Sequence, residues 1–142
     1  LAIEAYPSGI VRHPKVPAFM VRHTTGSGWA AANSVATWNT IILNNGNHWD
    51  SSNNRWTAPV DGIYHFTSQI LSENNSRAFH HLRLNGVRVD GTRTESYQGT
   101  SYQTVTFVAT INVSANDNVD VYIGTNSAYG SVYANFNGFL VG

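Results

Sequence analysis

The chain of 142 residues contains no cysteine, which excludes disulfide bonds, thiolate metal sites and cysteine nucleophiles. Charge is also scarce, since Asp, Glu, Lys and Arg make up 11% of the residues, against about 25% in a typical domain. The formal net charge is zero, so a basic surface for nucleic acid is not expected. No apolar run approaches the roughly 20 residues of a membrane-spanning helix, and residues 1–7 do not resemble a signal peptide. Membrane insertion is therefore not expected.

Neutral polarity and aromatic rings take the place of charge. The chain carries 16 asparagines, and Phe, Trp and Tyr make up 12% of its residues. Its length fits one domain with its own hydrophobic core. Such a surface suits contacts with sugars or proteins through hydrogen bonds and stacked rings. It also suits burial in an oligomer, where charges are costly to cover.

Helical periodicity is nearly absent, and repeated alternation of period two predicts strands. The cleanest alternation lies in 62–71, where Tyr64 and Phe66 share one face and His65 lies on the other. Segment 35–44 is expected to form one long strand, with Ile41 on one face and Trp38 on the other. The predicted strands are 17–23, 35–44, 55–58, 62–71, 78–85, 87–94, 100–113, 119–125 and 133–141.

The breaks between these strands have the composition of turns. Asn-Gly at Asn85-Gly86 is the strongest short signal for a hairpin. Asparagine clusters near 44–47, 53–54, 74–75 and 116–118 tolerate left-handed backbone or bond their own backbone. Many strands separated by such turns indicate an all-β sandwich or barrel. Residues 1–15 have a weak pattern and two prolines, and we interpret them as an arm or linker.

Several motifs then occur in a fixed order along the chain. They are Pro17-Ala18-Phe19; Asn44-Asn45-Gly46-Asn47-His48-Trp49-Asp50; Trp56-Thr57-Ala58-Pro59-Val60-Asp61-Gly62-Ile63-Tyr64-His65-Phe66; Leu84-Asn85-Gly86; Asp117-x-Val119; and Phe136-Asn137-Gly138-Phe139-Leu140. Their order and spacing resemble the globular head of the complement C1q and tumour necrosis factor superfamily, over about residues 16–142.

This resemblance implies a jelly-roll sandwich of two five-stranded antiparallel sheets, packed as a homotrimer around a threefold axis. A ring of aromatic residues on one sheet face would leave a large apolar area exposed in a monomer, which agrees with a trimer. The aromatic residues expected to form the core and the threefold interface are Phe19, Tyr64, Phe66, Phe136 and Phe139.

Catalytic patterns are missing from the sequence. It has no Gly-x-Ser-x-Gly elbow, no phosphate-binding loop and no spacing that pairs two carboxylates. His80 and His81 are adjacent, so on a strand they point to opposite faces and cannot share one ion. We interpret the histidines as solvated or interface residues, with a ligand or pH-sensitive contact as the alternative. The protein is therefore predicted not to be an enzyme.

Calcium is the one cofactor that the sequence leaves open. Some members of the family bind it near the apex through loop carboxylates and carbonyls. The corresponding candidates here are Asp117 and Asp120, with Asn116 and Asn118 beside them as further oxygen ligands. The alternative is that Asp117 only caps a β-turn.

Recognition is expected at the end of the sandwich away from the termini. The loops predicted there are 44–54, 74–77, 97–102 and 127–130. Their ring-bearing and donor side chains are the predicted ligand-binding residues: His48, Trp49, Arg77, Tyr97, Tyr102 and Tyr129. Trp29 is a further stacking candidate. The alternatives are that the loops only cover sheet edges, and that Trp29 and Trp49 pack against a trimer neighbour.

The function predicted from these features is a non-enzymatic, trimeric recognition and assembly head, extracellular or on a virion. An asparagine-rich head without cysteine or collagen repeat suits a bacteriophage or other virion fibre or decoration protein. Its partner would be a cell-surface glycan or protein receptor, or another virion protein at a threefold site. The alternative is a secreted, lectin-like protein of innate immunity that recognises molecular patterns.

Overall fold

The computed structural model describes residues 3–9, 11–12, 15–26, 32–73, 75, 77–97, 99–124 and 128–142. Within these residues the chain forms strands, turns and bends, and no helix. The strands are β1 (Glu4–Ala5), β2 (Val11–Arg12), β3 (Ala18–His23), β4 (Ser34–Val35), β5 (Thr40–Asn45), β6 (Trp49–Asp50), β7 (Arg55–Thr57), β8 (Gly62–Ser72), β9 (Phe79–Leu84), β10 (Val87–Arg88), β11 (Thr94–Glu95), β12 (Gln103–Val113), β13 (Asn118–Ile123), β14 (Ala128–Tyr129) and β15 (Ala134–Leu140). The predicted all-β class is confirmed.

Two antiparallel sheets form the sandwich. The six-stranded sheet follows the order β12-β8-β15-β3-β5, with β14 paired to the end of β8. The seven-stranded sheet follows the order β10-β9-β13-β7-β6, with β11 beside β9 and β4 beside β13. Each sheet therefore has a path of five strands, as expected, to which short strands add. Strands β1 and β2 form a separate two-stranded hairpin in the predicted arm.

The longest strand pair shows how alternation in the sequence becomes a buried face. Strands β8 and β12 pair along their whole length, from Gly62 opposite Val113 to Ser72 opposite Gln103. Tyr64 and Phe66, which were predicted to share one face of β8, are fully buried, together with Ser68 and Ile70 on the same face. Their neighbours on the same strand face outward, because successive side chains of a strand point to opposite sides.

Aromatic rings fill the space between the sheets. The Phe19 ring centre lies 5.4 Å from that of Trp49, 5.5 Å from that of Trp56 and 4.9 Å from that of Phe136. Gly138 makes this packing possible, because the Phe66 and Phe19 rings occupy the space where a Cβ at this position would lie. The spacing of the closing Phe-x-Gly-Phe motif thus follows from packing.

Asparagine supplies the tight turns, as the composition predicted. Asn47, Asn54, Asn85 and Asn116 all have positive φ, between 51° and 72°, which few other residues adopt readily. Asn85 and Gly86 connect β9 to β10 as the predicted hairpin, with Val87 opposite Leu84.

Segment 35–44 is not the continuous strand that the alternation predicted. Strand β4 ends at Val35 and β5 begins at Thr40, and between them the Trp38 amide donates to Asn54 Oδ1 at 2.8 Å. Ile41 and Leu43 are exposed, together with Ile42, at a point where the register with β3 shifts. Between these two strands the chain crosses from the seven-stranded to the six-stranded sheet, and no local pattern reveals this change.

The sandwich has two distinct ends. At the terminal end, Leu140 donates to the Pro17 carbonyl and Ile63 to the Gly142 carbonyl, at 3.0 and 2.7 Å. The far end is the opposite one, where β8 finishes at Ser72 beside β14. These two names are used below for the ends of the molecule.

Candidate functional site

Four of the six predicted ligand-binding residues lie together at the far end. Arg77 lies two residues before β9, and Tyr129 lies on β14 opposite Leu71. Tyr97 and Tyr102 belong to the loop before β12, where the Tyr97 amide donates to Gln103 Oε1 at 3.1 Å. The fold thus brings three separate loops to one end of the sandwich, as the sequence predicted for these positions.

Three tyrosines form a pocket at this end. The Tyr129 ring centre lies 5.7 Å from that of Tyr102 and 6.0 Å from that of Tyr133. Together with Leu71 these rings line a cavity of about 380 Å³. Tyr133 and Leu71 were not among the predicted site residues, because each belongs to an alternating strand pattern that resembles any other sheet position.

Backbone bonds hold the tyrosine pocket in place. The Gly130 amide donates to the Gly26 carbonyl at 3.0 Å, and the Ser131 amide to the Thr25 carbonyl at 2.6 Å. The Tyr133 amide donates back to the Gly130 carbonyl at 3.0 Å. A Cβ at Gly26 would lie 3.4 Å from the Tyr129 hydroxyl oxygen, so a small residue suits this position. The pocket wall is thus fixed by sheet and loop bonds rather than by side-chain packing alone.

A second, polar cavity lies beside the tyrosine pocket at the far end. It has a volume of about 470 Å³ and is lined by Arg77, Glu95, Ser96 and Tyr97. Hydrogen bonds from Arg77 and then Arg93 hold the pKa of the Glu95 carboxyl below its ordinary value. The carboxylate is therefore ionised and already shared between two guanidinium groups. This cavity offers hydrogen-bonding groups with its charges largely paired.

The predicted position of Trp49 and His48 at the recognition end is wrong. Trp49 is only 6% exposed, and its ring stacks on Phe19 in the core. His48 lies near the terminal end, where its carbonyl accepts from the Thr57 amide and its ring meets the edge of Trp56. Loop 44–54 therefore begins at the opposite end from the tyrosine pocket. Trp29 lies outside the described residues.

The five aromatic residues predicted for core and interface divide into two groups. Phe19, Tyr64, Phe66 and Phe136 are buried between the sheets. Phe139 is instead 45% exposed on the outer face of the six-stranded sheet, with its ring centre 5.3 Å from that of His65. Phe139 therefore lies outside the core, because the register Phe139 opposite His65 turns its side chain outward, and only the interface half of the prediction can apply to it.

The structure does not support a calcium site at Asp117 and Asp120. Asp120 is buried and accepts two hydrogen bonds from Arg83, at 2.7 and 2.9 Å. Asp117 accepts from Asn85 Nδ2 at 2.7 Å and from the Ser114 amide at 2.9 Å. The hydrogen bond from Asn85, and to a lesser extent that from the Ser114 amide, lowers the pKa of the Asp117 carboxyl. Asp117 thus closes the Ser114–Asp117 turn, which was the alternative interpretation.

Histidines do not form a metal centre in the part of the chain that the structure describes, where no group of three or more His, Asp or Glu side chains could hold an ion. His80 is fully buried, and its Nε2 donates to the Ser68 carbonyl of the opposite sheet at 3.2 Å. Burial lowers the pKa of His80 to about 4. His81 faces the other way and stacks on Tyr122, with ring centres 5.0 Å apart. His80 thus connects the two sheets as a neutral ring.

The topology and the turn motifs together define a jelly-roll head. A family model for the C1q domain matches residues 18–141, so the chain belongs to the C1q domain family. The globular domain of a zebrafish complement 1qA protein has a similar structure, with a TM-score of 0.74. The two chains are 23% identical, and the match covers 89% of this chain and 98% of that one. A comparison with curated proteins gives no match.

Membership of this family determines the broad class of function. C1q-domain proteins are recognition or structural proteins rather than enzymes, and they typically form trimers that bind receptors or other ligands. They are commonly secreted or extracellular. In the described ranges, no helix has the length and apolar character needed to cross a lipid bilayer.

Proposed function

We propose that this protein is a homotrimeric, non-enzymatic recognition head that displays its far end to a cell-surface receptor. One observation carries the proposal: the molecule is polarised between its two ends, and between them runs the outer face of the six-stranded sheet, whose strands carry one charged residue, Arg22. The entry to residues 1–15 and the C-terminus meet at the terminal end. The ring-bearing loops meet at the far end. Residues 1–15 then serve as the arm that joins the head, residues 16–142, to its carrier.

The outer face of the six-stranded sheet supports the trimer. Its strands contain a single charged residue, Arg22. Large apolar side chains are exposed on this sheet and its edge strand β5: Ile41, Ile42, Leu43, Ile63, Val108 and Phe139. Burial of apolar surface that water would otherwise contact stabilises an assembly by about 25 cal/mol per Å². A second and a third copy of the chain would cover this face around a threefold axis.

The far end supports recognition. Tyr97, Tyr102 and Tyr133 are all substantially exposed there, at 80%, 52% and 44%. Tyrosine is common at binding surfaces because it combines a large apolar ring with a hydroxyl that bonds to polar partners. Three copies on one axis raise the avidity for a repetitive surface without any new contact.

A bacteriophage or other virion fibre, or a decoration protein, is the carrier we propose. A threefold head suits a threefold attachment point, and the neutral, cysteine-free composition does not depend on an oxidising compartment. The second candidate is a secreted pattern-recognition protein of innate immunity. The structural similarity to a complement 1qA globular domain favours it, although at 23% identity this similarity concerns the fold alone.

The experiment has two parts. Light scattering of the purified protein should give about three times 15.6 kDa. A screen of the same sample against whole cells and immobilised glycans should then yield binding that the Arg77→Ala and Tyr97→Ala variants weaken. A stable monomer at micromolar concentration would overturn the trimer. Undiminished binding in both variants would move the recognition site away from the far end.

A further inference from the structure

We propose that the pocket of Leu71, Tyr102, Tyr129 and Tyr133 binds a neutral pyranose ring. This inference rests on the proposed recognition function and specifies the ligand class that the far end takes. The pocket is the place at the far end where three aromatic rings converge, each within about 6 Å of the next as the ring centres 5.7 and 6.0 Å apart show.

The geometry of the rings fits a sugar. The Tyr102 and Tyr129 ring planes meet at 79°, and those of Tyr129 and Tyr133 at 57°. A ligand in the pocket therefore meets rings that are inclined to one another. The apolar C–H face of a pyranose would pack on a ring face, and its hydroxyls would bond to polar groups such as tyrosine hydroxyls.

The chemistry of the lining argues for a neutral ligand. None of the described lining residues is charged, so an anionic sugar or a phosphate would find no counter-charge there. The guanidinium of Arg77 and the carboxylate of Glu95 belong to the adjacent cavity and pair with each other. A volume of about 380 Å³ lies within the range of about 300–1,000 Å³ usual for small-molecule sites.

The position of the pocket favours a ligand over a second copy of the chain. Leu71 lies on the same outer face as His65, so the pocket lies at the far margin of the proposed trimer face. The exposed aliphatic side chains Ile63 and Val108 lie on this face toward the terminal end and the middle of the strands, as their positions along β8 and β12 show. At the far margin the face changes from aliphatic side chains to tyrosines around a cavity. Exposed aliphatic side chains suit subunit packing, whereas a concave site lined by tyrosines suits a sugar.

The test measures sugar binding and assembly separately. The probes are the methyl glycosides of glucose, galactose, mannose and N-acetylglucosamine, with sialic acid and a sulfated hexose as charged counterparts. Saturation-transfer NMR detects weak binding of each probe to the protein in whatever oligomeric state it adopts. The variants are Tyr102→Ala and Tyr133→Ala, with Tyr102→Phe as the conservative change. Tyr6→Ala, an exposed tyrosine of the arm, is the matched control.

The expected result is binding of at least one neutral glycoside by the parent protein and the Tyr6→Ala variant. Either pocket truncation should weaken it roughly tenfold, which corresponds to a lost aromatic contact of about 1.4 kcal/mol. Tyr102→Phe should retain more affinity than Tyr102→Ala. The oligomeric mass of every variant, measured by light scattering, should equal that of the parent.

Two results would overturn the inference and leave the recognition head intact. One is a trimer that adheres to cells but binds no neutral glycoside, or binds only the charged probes. The other is a change of oligomeric mass in the pocket variants, which would show that the pocket is a contact between subunits. A monomeric parent that still binds a neutral glycoside through these tyrosines would instead support the pocket and refute the trimer.

Discussion

The two outer faces of the sandwich differ in charge. All five ion pairs of the described residues lie on the seven-stranded sheet and its loops: Arg55–Asp50, Arg77–Glu95, Arg83–Asp120, Arg88–Asp90 and Arg93–Glu95. The strands of the six-stranded sheet carry one charged residue, Arg22, and several exposed aliphatic and aromatic side chains. One face carries the ion pairs, and the other presents neutral polar, aliphatic and aromatic side chains, such as Thr106, Val108 and Phe139.

This difference has an energetic basis. Burying a charged side chain under a partner subunit removes it from water. The lost hydration energy is recovered only if the charge meets a well-placed opposite charge. A face that is covered on assembly is therefore expected to lack charges, as interface centres generally do. The shortage of charged residues is thus greatest on one side of the molecule, and that side is the proposed trimer face.

The largest expected effect comes from disrupting the aromatic core that lies between the two sheets. Tyr64 is fully buried, its ring meets Trp56 at 5.1 Å, and its hydroxyl donates to the Val60 carbonyl at 2.9 Å. We expect Tyr64→Ala to cost about 3–5 kcal/mol of stability, because large aromatic truncations in cores cost this much. Thermal melting of the soluble fraction measures it. A melting temperature within about a degree of the parent's would place Tyr64 outside the core.

A matched pair of substitutions tests the difference between the two sheet faces directly. Val108 is exposed on the outer face of the six-stranded sheet, and Val87 is exposed on edge strand β10 of the seven-stranded sheet, at 59% and 70%. We expect Val108→Asp to convert trimers to monomers, since three carboxylates would be buried without partners. Val87→Asp should leave the trimer unchanged. Light scattering of both variants decides, and the reverse result would exchange the roles of the two sheets.

Acidification should weaken the contact between the sheets. The pKa of His80 falls from 6.5 to about 4 because the ring is buried, so the unfolded chain binds a proton first as the pH drops. Stability is therefore complete above about pH 6.5 and is lost progressively toward pH 4, by up to about 3 kcal/mol from this group. Burial also lowers the pKa values of His23 and His81, which adds loss in the same direction.

Denaturation in urea between about pH 7 and about pH 4.5 measures this dependence. His80→Gln keeps a polar side chain at the position and should show a shallower decline than the parent. Equal slopes in the two proteins would show that His80 does not contribute.

The smallest expected effect compares two ion pairs on the charged face. Arg83 and Asp120 are mostly buried and form two hydrogen bonds, whereas Arg88 and Asp90 are exposed. We expect Arg83→Met to cost about 2 kcal/mol, because it leaves the Asp120 carboxylate buried without a partner, with the full cost reduced by its partial solvent access. Arg88→Met should change stability by less than about 0.5 kcal/mol. Urea denaturation of both variants tests this difference, and similar losses would contradict it.

A double variant sharpens the interpretation of the buried pair. Arg83→Met with Asp120→Leu replaces both charges by apolar groups of similar size. It should recover most of the stability lost in Arg83→Met alone, since no unpaired charge remains. A double variant as unstable as the single one would show that the loss comes from the contact of the Arg83 guanidinium with the Tyr122 ring.

Long strands were predictable from the sequence because local alternation alone specifies them. The pattern in 62–71 correctly identified Tyr64 and Phe66 as buried. The break in 35–44 was not predictable, since the chain crosses there from the seven-stranded to the six-stranded sheet. A pattern of alternation records which residues are apolar, and it does not record which backbone groups will find distant partners.

The candidate site was predictable only in part for the same reason. Arg77, Tyr97, Tyr102 and Tyr129 were correctly assigned to the far end, because turn residues in a jelly roll gather at its two ends. Trp49 was assigned there as well, although its ring is buried against Phe19. Neighbouring turn residues suggested exposure, but pairing of Trp49 with Trp56 turns the side chain into the core.

By itself, the sequence determined the all-β class, the asparagine-rich turns and the family, because alternation, turn chemistry and ordered motifs are local properties of a chain. Only the tertiary structure decided which tyrosines share a pocket, which carboxylates are already paired and which sheet face lacks charge. These depend on register and on contacts between distant segments. A shift of one residue in register turns a side chain such as Phe139 from one side of a sheet to the other.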